Sequence, residues 1–202
     1  MISPWLAPAP LLLASTSATR RMLIEAAGLP VETEAPGVDE RAIKAVVRGG
    51  PDDLARRLAA EKALAASRRR PGRVVLGADQ VLAIDREVLH KPEDREAARM
   101  QIARLAGRTH TLHAAFAIAF DGEVRREGRD SAQLTMRRLD HQAIARYLHL
   151  AGDAVTTSVG GYQLEGAGIH LFERVEGDHS TILGLPLIAL LASLRSLDLL
   201  AI

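Results

Sequence analysis

Two strand-length stretches, Thr109 to Phe120 and Glu123 to Met136, stand back to back with only Asp121-Gly122 between them. Asp-Gly suits the positive-φ backbone of a type I′ turn, so the segment is predicted to be one long antiparallel hairpin. On both sides of it, strand-like runs alternate with helical ones. A hairpin cannot belong to an all-parallel sheet, and the alternation excludes an all-β sandwich. The fold class expected is therefore α/β, with a mixed, elongated sheet flanked by helices and a cleft. At 202 residues the chain suits one domain over 1–202, as a single body or two closely joined lobes. Residues 1–10, rich in proline, are expected to form a loose N-terminal arm.

Composition removes several function classes. The formal net charge is +1, so no bulk field points to nucleic acid or to an anionic membrane. Aromatic residues make up only 3%, too few for a platform that stacks single-stranded bases. Cysteine is absent, which excludes disulfides, thiolate nucleophiles and cysteine-bound zinc and suits a reducing cytoplasm. The opening MISPWLAPAPLLLASTSA lacks a basic n-region and is interrupted by three prolines, unlike a signal peptide. The apolar run Ile182 to Leu194 is too short to span a bilayer and reads as a buried helix.

Taken in order, Leu11 to Ala14 reads as a buried strand. Ser17 is a good N-cap for a helix from Ala18 to about Ala27, closed by Gly28. Arg20 and Arg21 in its first turn oppose the helix dipole. With the serine hydroxyls and free N–H groups they would suit an anion. A strand at Val31 to Ala35 is followed by Gly37-Val38-Asp39-Glu40, which adds two more acids. A helix then runs from Pro51 to the Arg68-Arg69-Arg70 triplet, which suits a helix C-terminus. Lys62 lies near that helix's apolar stripe, either solvated or aimed inward.

The stretch Val74 to Pro92 reads as an apolar strand that stops at Gly77-Ala78-Asp79, where small residues let backbone approach a ligand and a carboxylate reaches the sheet's end. Gln80, a second apolar run to Ile84 and a polar turn at Asp85-Arg86 follow. Lys91 is held extended by Pro92. Helices are expected from Glu93 to Leu105 and from His141 to Leu150. Ser158 to Gly168 is a glycine-rich loop carrying Tyr162, Gln163 and Glu165, Leu171 to Val175 a strand, and Gly184-Leu185-Pro186 opens the last helix.

The chain has no HExxH, GxSxG, P-loop or dinucleotide-binding glycine motif. His110 and His113, three apart on one strand, face opposite ways and cannot share a metal. What remains are hard oxygen donors, Asp79 and Glu40, and phosphate-seeking cations, Arg20, Arg21, Lys62 and Lys91. Carboxylates with substrate phosphates and water are what magnesium or manganese takes, so the residues suggest metal-dependent phosphoanhydride chemistry.

Several separated pieces occur together in order: Leu13-Ala14-Ser15-Thr16-Ser17 leading to Arg20-Arg21, Val38-Asp39-Glu40, Lys62, Gly77-Ala78-Asp79, Lys91-Pro92, and Gly161-Tyr162 onward to Gly184-Leu185-Pro186-Leu187. This series resembles the Maf family of nucleoside triphosphate pyrophosphatases, from Leu11 to about Leu194. The resemblance implies a two-lobed α/β fold with a central cleft, usually dimeric, and a divalent metal cofactor (Mg2+ or Mn2+). It implies a nucleoside triphosphate substrate, cut to monophosphate and pyrophosphate. On that analogy Asp79 acts on the attacking water, directly or through the metal, with Glu40 as second metal ligand. Ser15, Arg20, Lys62 and Lys91 hold and neutralise the phosphates. The family has also been linked to septum formation, so a nucleotide-binding regulator with little turnover is the alternative from another class.

The resemblance also bears on the base. Pyrimidine-preferring members, acting on UTP or dTTP, are similar to a pattern with Arg, Thr and Gln at the positions of Thr19, Gln80 and Glu165. The 7-methyl-GTP-preferring subgroup resembles Gln80 and Glu165 as they stand here, together with a phrase like GxxLFERxEG that matches Gly168 to Gly177. Guanine carries two adjacent donors on its Watson–Crick edge, and N7 methylation makes it cationic, which favours a carboxylate. Ala18-Thr19 departs from the family's usual proline and larger residue. The expected substrate is 7-methyl-GTP or another non-standard nucleotide, with UTP, dTTP or a broader set as alternatives.

Overall fold

The structure, a computed structural model, describes residues 3–202. Seven strands and seven α-helices follow one another as β1 (Leu11–Ala14), α1 (Ala18–Ala26), β2 (Val31–Thr33), α2 (Glu40–Val46), α3 (Pro51–Arg69), β3 (Val75–Ile84), β4 (Glu87–Leu89), α4 (Arg95–Leu105), β5 (Thr109–Phe120), β6 (Glu123–Met136), α5 (His141–Ala151), β7 (Phe172–Glu176), α6 (His179–Ile182) and α7 (Leu187–Arg195). Short 3₁₀ turns at Gly152–Thr156, Val159–Gly161 and Ala167–Leu171 fill the span between α5 and β7.

The strands form one mixed sheet in the order β2-β1-β3-β5-β6-β7, with β4 paired to β3. β1 runs parallel to β2 and to β3, whereas β4 is antiparallel to β3 and β7 to β6. The long hairpin is present as expected, with Asp121 at φ 49° and Gly122 at φ 77° in its turn.

The chain divides into two compact units. One comprises residues up to Gln80, Ala114–Asp130 and His179–Ile202; the other comprises Val81–His113 and Ser131–Asp178. In the first, alternation along β1 and β3 sorts the core onto two faces. Leu11 and Leu13 of β1, with Leu76 and Ala78 of β3, pack with Ile24 of α1, Phe116, and Leu190 and Leu194 of α7. Leu12, Ala14 and Val75 face the other way, against Ala66 of α3. Helix α3 buries a line of small residues, Ala55, Ala59, Ala63 and Ala66, and so can lie close to the strands. In the second unit, α4 buries Ala98, Ile102 and Leu105, and α5 buries Ile144, Tyr147 and Leu148.

Several expectations need correction. Asp79 does not end a strand, because β3 runs unbroken from Val75 to Ile84. The β1–β3 ladder, however, stops at Ala14↔Gly77, so Asp79 lies two residues past the point where β1 leaves the sheet. Gly77 is small for a reason other than a ligand: a Cβ there would stand 2.2 Å from the Ala59 carbonyl oxygen and 2.5 Å from the Ala63 nitrogen. A helix not expected from the sequence starts at Glu40, where Asp39 caps α2 by accepting from the Arg41 and Ala42 N–H groups. Of the arm expected over residues 1–10, residues 3–10 are held. Trp5 is buried and bridges to Leu200, Leu6 N–H donates to Leu199, and Ala201 N–H donates to Pro4. Of the run Ile182 to Leu194, only Ile182 belongs to α6; a turn follows, and α7 buries Leu190 and Leu194 but exposes Ile188. No helix among the described residues is long and apolar enough to cross a membrane.

Candidate active site

The close seating of α3 on β3 decides the centre of the site. Gly77 and Asp79 share one face of β3, and Ala63, which Gly77 abuts, is next to Lys62. The lysine stem is therefore buried, at 6% exposure, and its Nζ lies 2.5 Å from Asp79 Oδ1 and 2.8 Å from Glu40 Oε1. Glu40 comes from the first turn of α2, where the Asp39 cap places it, and also pairs with Lys44 at 3.6 Å. A buried ammonium thus bridges two carboxylates from separate elements. Asp79 is 7% exposed. Burial pushes its carboxyl above the usual range, against the pull of Lys62 and Arg20. Glu40 is more open. Its partial burial raises it, but the Lys62 and Lys44 ammonium groups outweigh that and hold it below its ordinary value.

Arg20 is aimed back from the first turn of α1, whose N-cap Ser17 accepts from the Arg20 N–H. Its Nε donates to the Gly184 carbonyl at 2.9 Å, and one Nη donates to the Ala78 carbonyl at 3.0 Å and to Ser15 Oγ at 3.3 Å. Burial lowers its pKa, opposed by Asp79 and Glu40, and a guanidinium remains charged regardless. Ser15 Oγ also accepts from the Ser17 N–H at 3.2 Å. The two arginines part company here: Arg21 faces outward and pairs with Glu25 at 2.7 Å.

Gln80, on the opposite face of β3 from Asp79, donates from Nε2 to the carbonyls of Thr181 at 3.0 Å and Ile182 at 2.9 Å. Thr19 is half-buried in the first turn of α1. Ser15, Thr19, Arg20, Glu40, Lys62, Asp79 and Gln80 all belong to the first unit. Lys91 and Glu165 belong to the second, where Lys91 is exposed between β4 and α4 and Glu165 is exposed in a turn between two 3₁₀ segments.

In the second unit the glycine-rich stretch is anchored from beneath. The His110 ring, 1% exposed, meets the Tyr162 hydroxyl at 2.6 Å through Nε2, and the Phe172 ring lies edge-on to Tyr162. The Tyr147 hydroxyl donates to the Gly161 carbonyl at 3.0 Å. Burial drives the His110 pKa down to about 4, so the ring is neutral.

For a metal, the donor set is two hard carboxylates. Among the described residues no group of three or more His, Cys, Asp or Glu side chains gathers to hold an ion. That does not fit an all-protein cage. It does fit an ion that keeps several waters and takes further ligands from substrate phosphates, as magnesium and manganese do.

Sequence reasoning did not find the carbonyls of Thr181 and Ile182, which accept from Gln80, or those of Ala78 and Gly184, which accept from Arg20. Main-chain acceptors leave no mark in residue type. The only signal was Gly184 itself, which adopts φ 94°.

The family model described as Maf-like protein matches residues 10–197. A nucleoside triphosphate pyrophosphatase of Rhodopseudomonas palustris (strain BisB18) is 50% identical over 198 residues, covering 98% of both chains. A protein of the same description from Bradyrhizobium diazoefficiens is 50% identical over 199 residues, again covering 98% of both. A 7-methyl-GTP pyrophosphatase of Brucella abortus biovar 1 is 46% identical over 188 residues, covering 92% of this chain and 94% of that one. With the family model spanning residues 10–197 and these relatives 46–50% identical over nearly the whole sequence, the chain belongs to the Maf family.

Proposed function

We propose that this protein hydrolyses a nucleoside triphosphate to its monophosphate and pyrophosphate, acting on 7-methyl-GTP or a similar non-standard nucleotide. The observation that carries the reaction is the buried Lys62 ammonium bridging Asp79 and Glu40, with the Arg20 guanidinium electrostatically coupled to both acids. In the reaction a water oxygen bonds to the α-phosphorus, the bond from that phosphorus to the bridging oxygen breaks, and pyrophosphate departs. Asp79 takes the water's proton, and a carboxylate raised by burial is better matched to that work near neutral pH than an ordinary one. Lys62 and Arg20 place fixed positive charge beside the phosphates, where they stabilise charge growing on the leaving oxygen. Asp79 and Glu40 would hold a magnesium or manganese ion, which when bound neutralises phosphate charge. Ser15 and Lys91 would contribute further phosphate contacts.

Support for the base comes from the name of the Brucella relative and from Gln80, Glu165 and the Gly168 to Gly177 phrase. A carboxylate at Glu165 suits a cationic, N7-methylated guanine. The test is pyrophosphate release from a panel of 7-methyl-GTP, GTP, ITP, UTP and dTTP, with magnesium, manganese or EDTA. Asp79→Asn serves as the control, and it should lose about 100-fold or more in turnover while keeping its fold. Preference for UTP or dTTP would keep the reaction and overturn the base assignment. A fully active Asp79→Asn would remove that residue from the chemistry, and absence of turnover on every nucleotide would favour a binding regulator.

A further inference from the structure

The turn formed by α6 and Gly184 is bonded to two side chains of the site at once. The Thr181 and Ile182 carbonyls accept both hydrogens of the Gln80 amide, and the Gly184 carbonyl accepts from Arg20. The turn is itself closed by Gly184 N–H donating to the Thr181 carbonyl at 3.0 Å. It is tied to β6 by the Thr181 hydroxyl, which donates to Asp130 Oδ2 at 2.7 Å. All of these residues lie in one unit.

This settles which way the Gln80 amide faces. Only an NH2 group can meet two carbonyl oxygens, so the flipped amide would set three acceptors against one another. With both hydrogens spent, Oε1 is the atom Gln80 has left for a ligand, and it can only accept. A base that meets it must present an N–H donor. Guanine, with N1–H beside the 2-amino group, presents two adjacent donors, whereas the single N–H of uracil or thymine lies between two carbonyl oxygens that Oε1 would repel.

We infer that Thr181 and Asp130 are positioning residues that lock Gln80 as a hydrogen-bond acceptor toward the base, so that base selection depends on a hydroxyl–carboxylate bond that touches no substrate. The inference rests on the proposed pyrophosphatase reading and deepens it. The same bond steadies the turn that holds Arg20, but Arg20 has two further acceptors in Ala78 and Ser15. Loosening the turn should therefore act on the base more than on the phosphates.

The experiment compares wild type with Thr181→Val, which keeps the side-chain shape but loses the hydroxyl, and with Asp130→Asn, which still offers an acceptor. Steady-state kinetics on 7-methyl-GTP, GTP, ITP and UTP are read beside exchange of the Gln80 side-chain amide protons by NMR, assigned with Gln80→Glu. Thr181→Val should raise KM for the guanine nucleotides about 3- to 10-fold, the scale of one hydrogen bond, with kcat within about 2-fold. The guanine-to-uracil ratio of kcat/KM should narrow, the Gln80 amide should exchange faster, and Asp130→Asn should stay close to wild type. An unchanged base ratio with an unchanged amide would overturn the inference, as would an equal loss on every nucleotide. Absence of turnover in wild type would sink the pyrophosphatase reading instead, and the amide exchange would still decide whether Thr181 holds Gln80.

Discussion

Replacing Gly77 by alanine tests the packing that creates the site. Gly77 sits in a strand without a positive φ, so in open space alanine would stabilise it by about 0.5–1 kcal/mol. Here its Cβ would fall 2.2 Å from the Ala59 oxygen, 2.5 Å from the Ala63 nitrogen and 2.9 Å from the Ala63 Cβ. The first two are main-chain atoms of α3, so no side chain can swing aside. Restoring ordinary contact requires helix and strand to part by about 1 Å, an overpacking cost of about 1–3 kcal/mol. For a chain of this length that lowers Tm by roughly 2–12 °C. The same displacement stretches the 2.5 Å bond between Lys62 and Asp79 to about 3.5 Å, outside hydrogen-bonding range. Misplacement on that scale can cost about 100-fold in rate. Thermal denaturation and pyrophosphate release would be measured on the same preparation. A Gly77→Ala protein with wild-type or higher Tm and full activity would refute the claim that this approach positions the pair.

Two further outcomes are expected. His110 is neutral in the fold, with a pKa near 4 against 6.5 when unfolded. Its contribution to stability is complete above pH 6.5 and is lost as pH falls toward 4, because the unfolded chain takes up the proton first. The loss is about 3 kcal/mol. Chemical denaturation at pH 7 and pH 4 should show wild type losing that much more than His110→Gln, and equal losses would refute the assignment. Glu165→Gln should weaken 7-methyl-GTP relative to the other nucleotides by about 1–3 kcal/mol in kcat/KM, whereas an equal loss across all bases would remove Glu165 from recognition.

Local rules read the scaffold well. Ser17, Pro51 and Asp121-Gly122 announce their caps and turns through their own chemistry, and α1, α3 and the hairpin lie where those residues place them. Asp79, Glu40, Lys62 and Arg20 stood out as hard oxygen donors and phosphate-seeking cations, but together with Lys91 and with Arg21, which faces outward and pairs with Glu25. Lys62 was ambiguous by helical phase alone, and only the seating of α3 on Gly77 shows that it is buried. The long β3 was misread as two strands because Gly77, Asp79 and Gln80 look like a turn, yet the strand runs unbroken through them, between its pairing with β1 up to Gly77 and its pairing with β4 from Leu82. Helix α2 was missed because seven residues with no buried side chain leave no periodic stripe. The bonds of Gln80 and Arg20 to main-chain carbonyls depend on tertiary placement and had no local signature.

The order in which the site's bonds can form follows from their spacing along the chain. Lys62 and Asp79 are 17 residues apart, whereas Arg20 and the Gly184 carbonyl that holds it are 164 apart. On a ribosome adding about 5–20 residues per second, roughly 5–20 s pass between synthesis of Asp79 and synthesis of Gly184. Throughout that interval the nascent chain can own a paired acid and lysine but not its fixed phosphate arm. The β1–β3 ladder and its apolar face likewise wait for Leu185, Leu190 and Leu194 to cover them. During synthesis, then, the half-made protein is catalytically incomplete and keeps an apolar face uncovered until Leu194 has emerged.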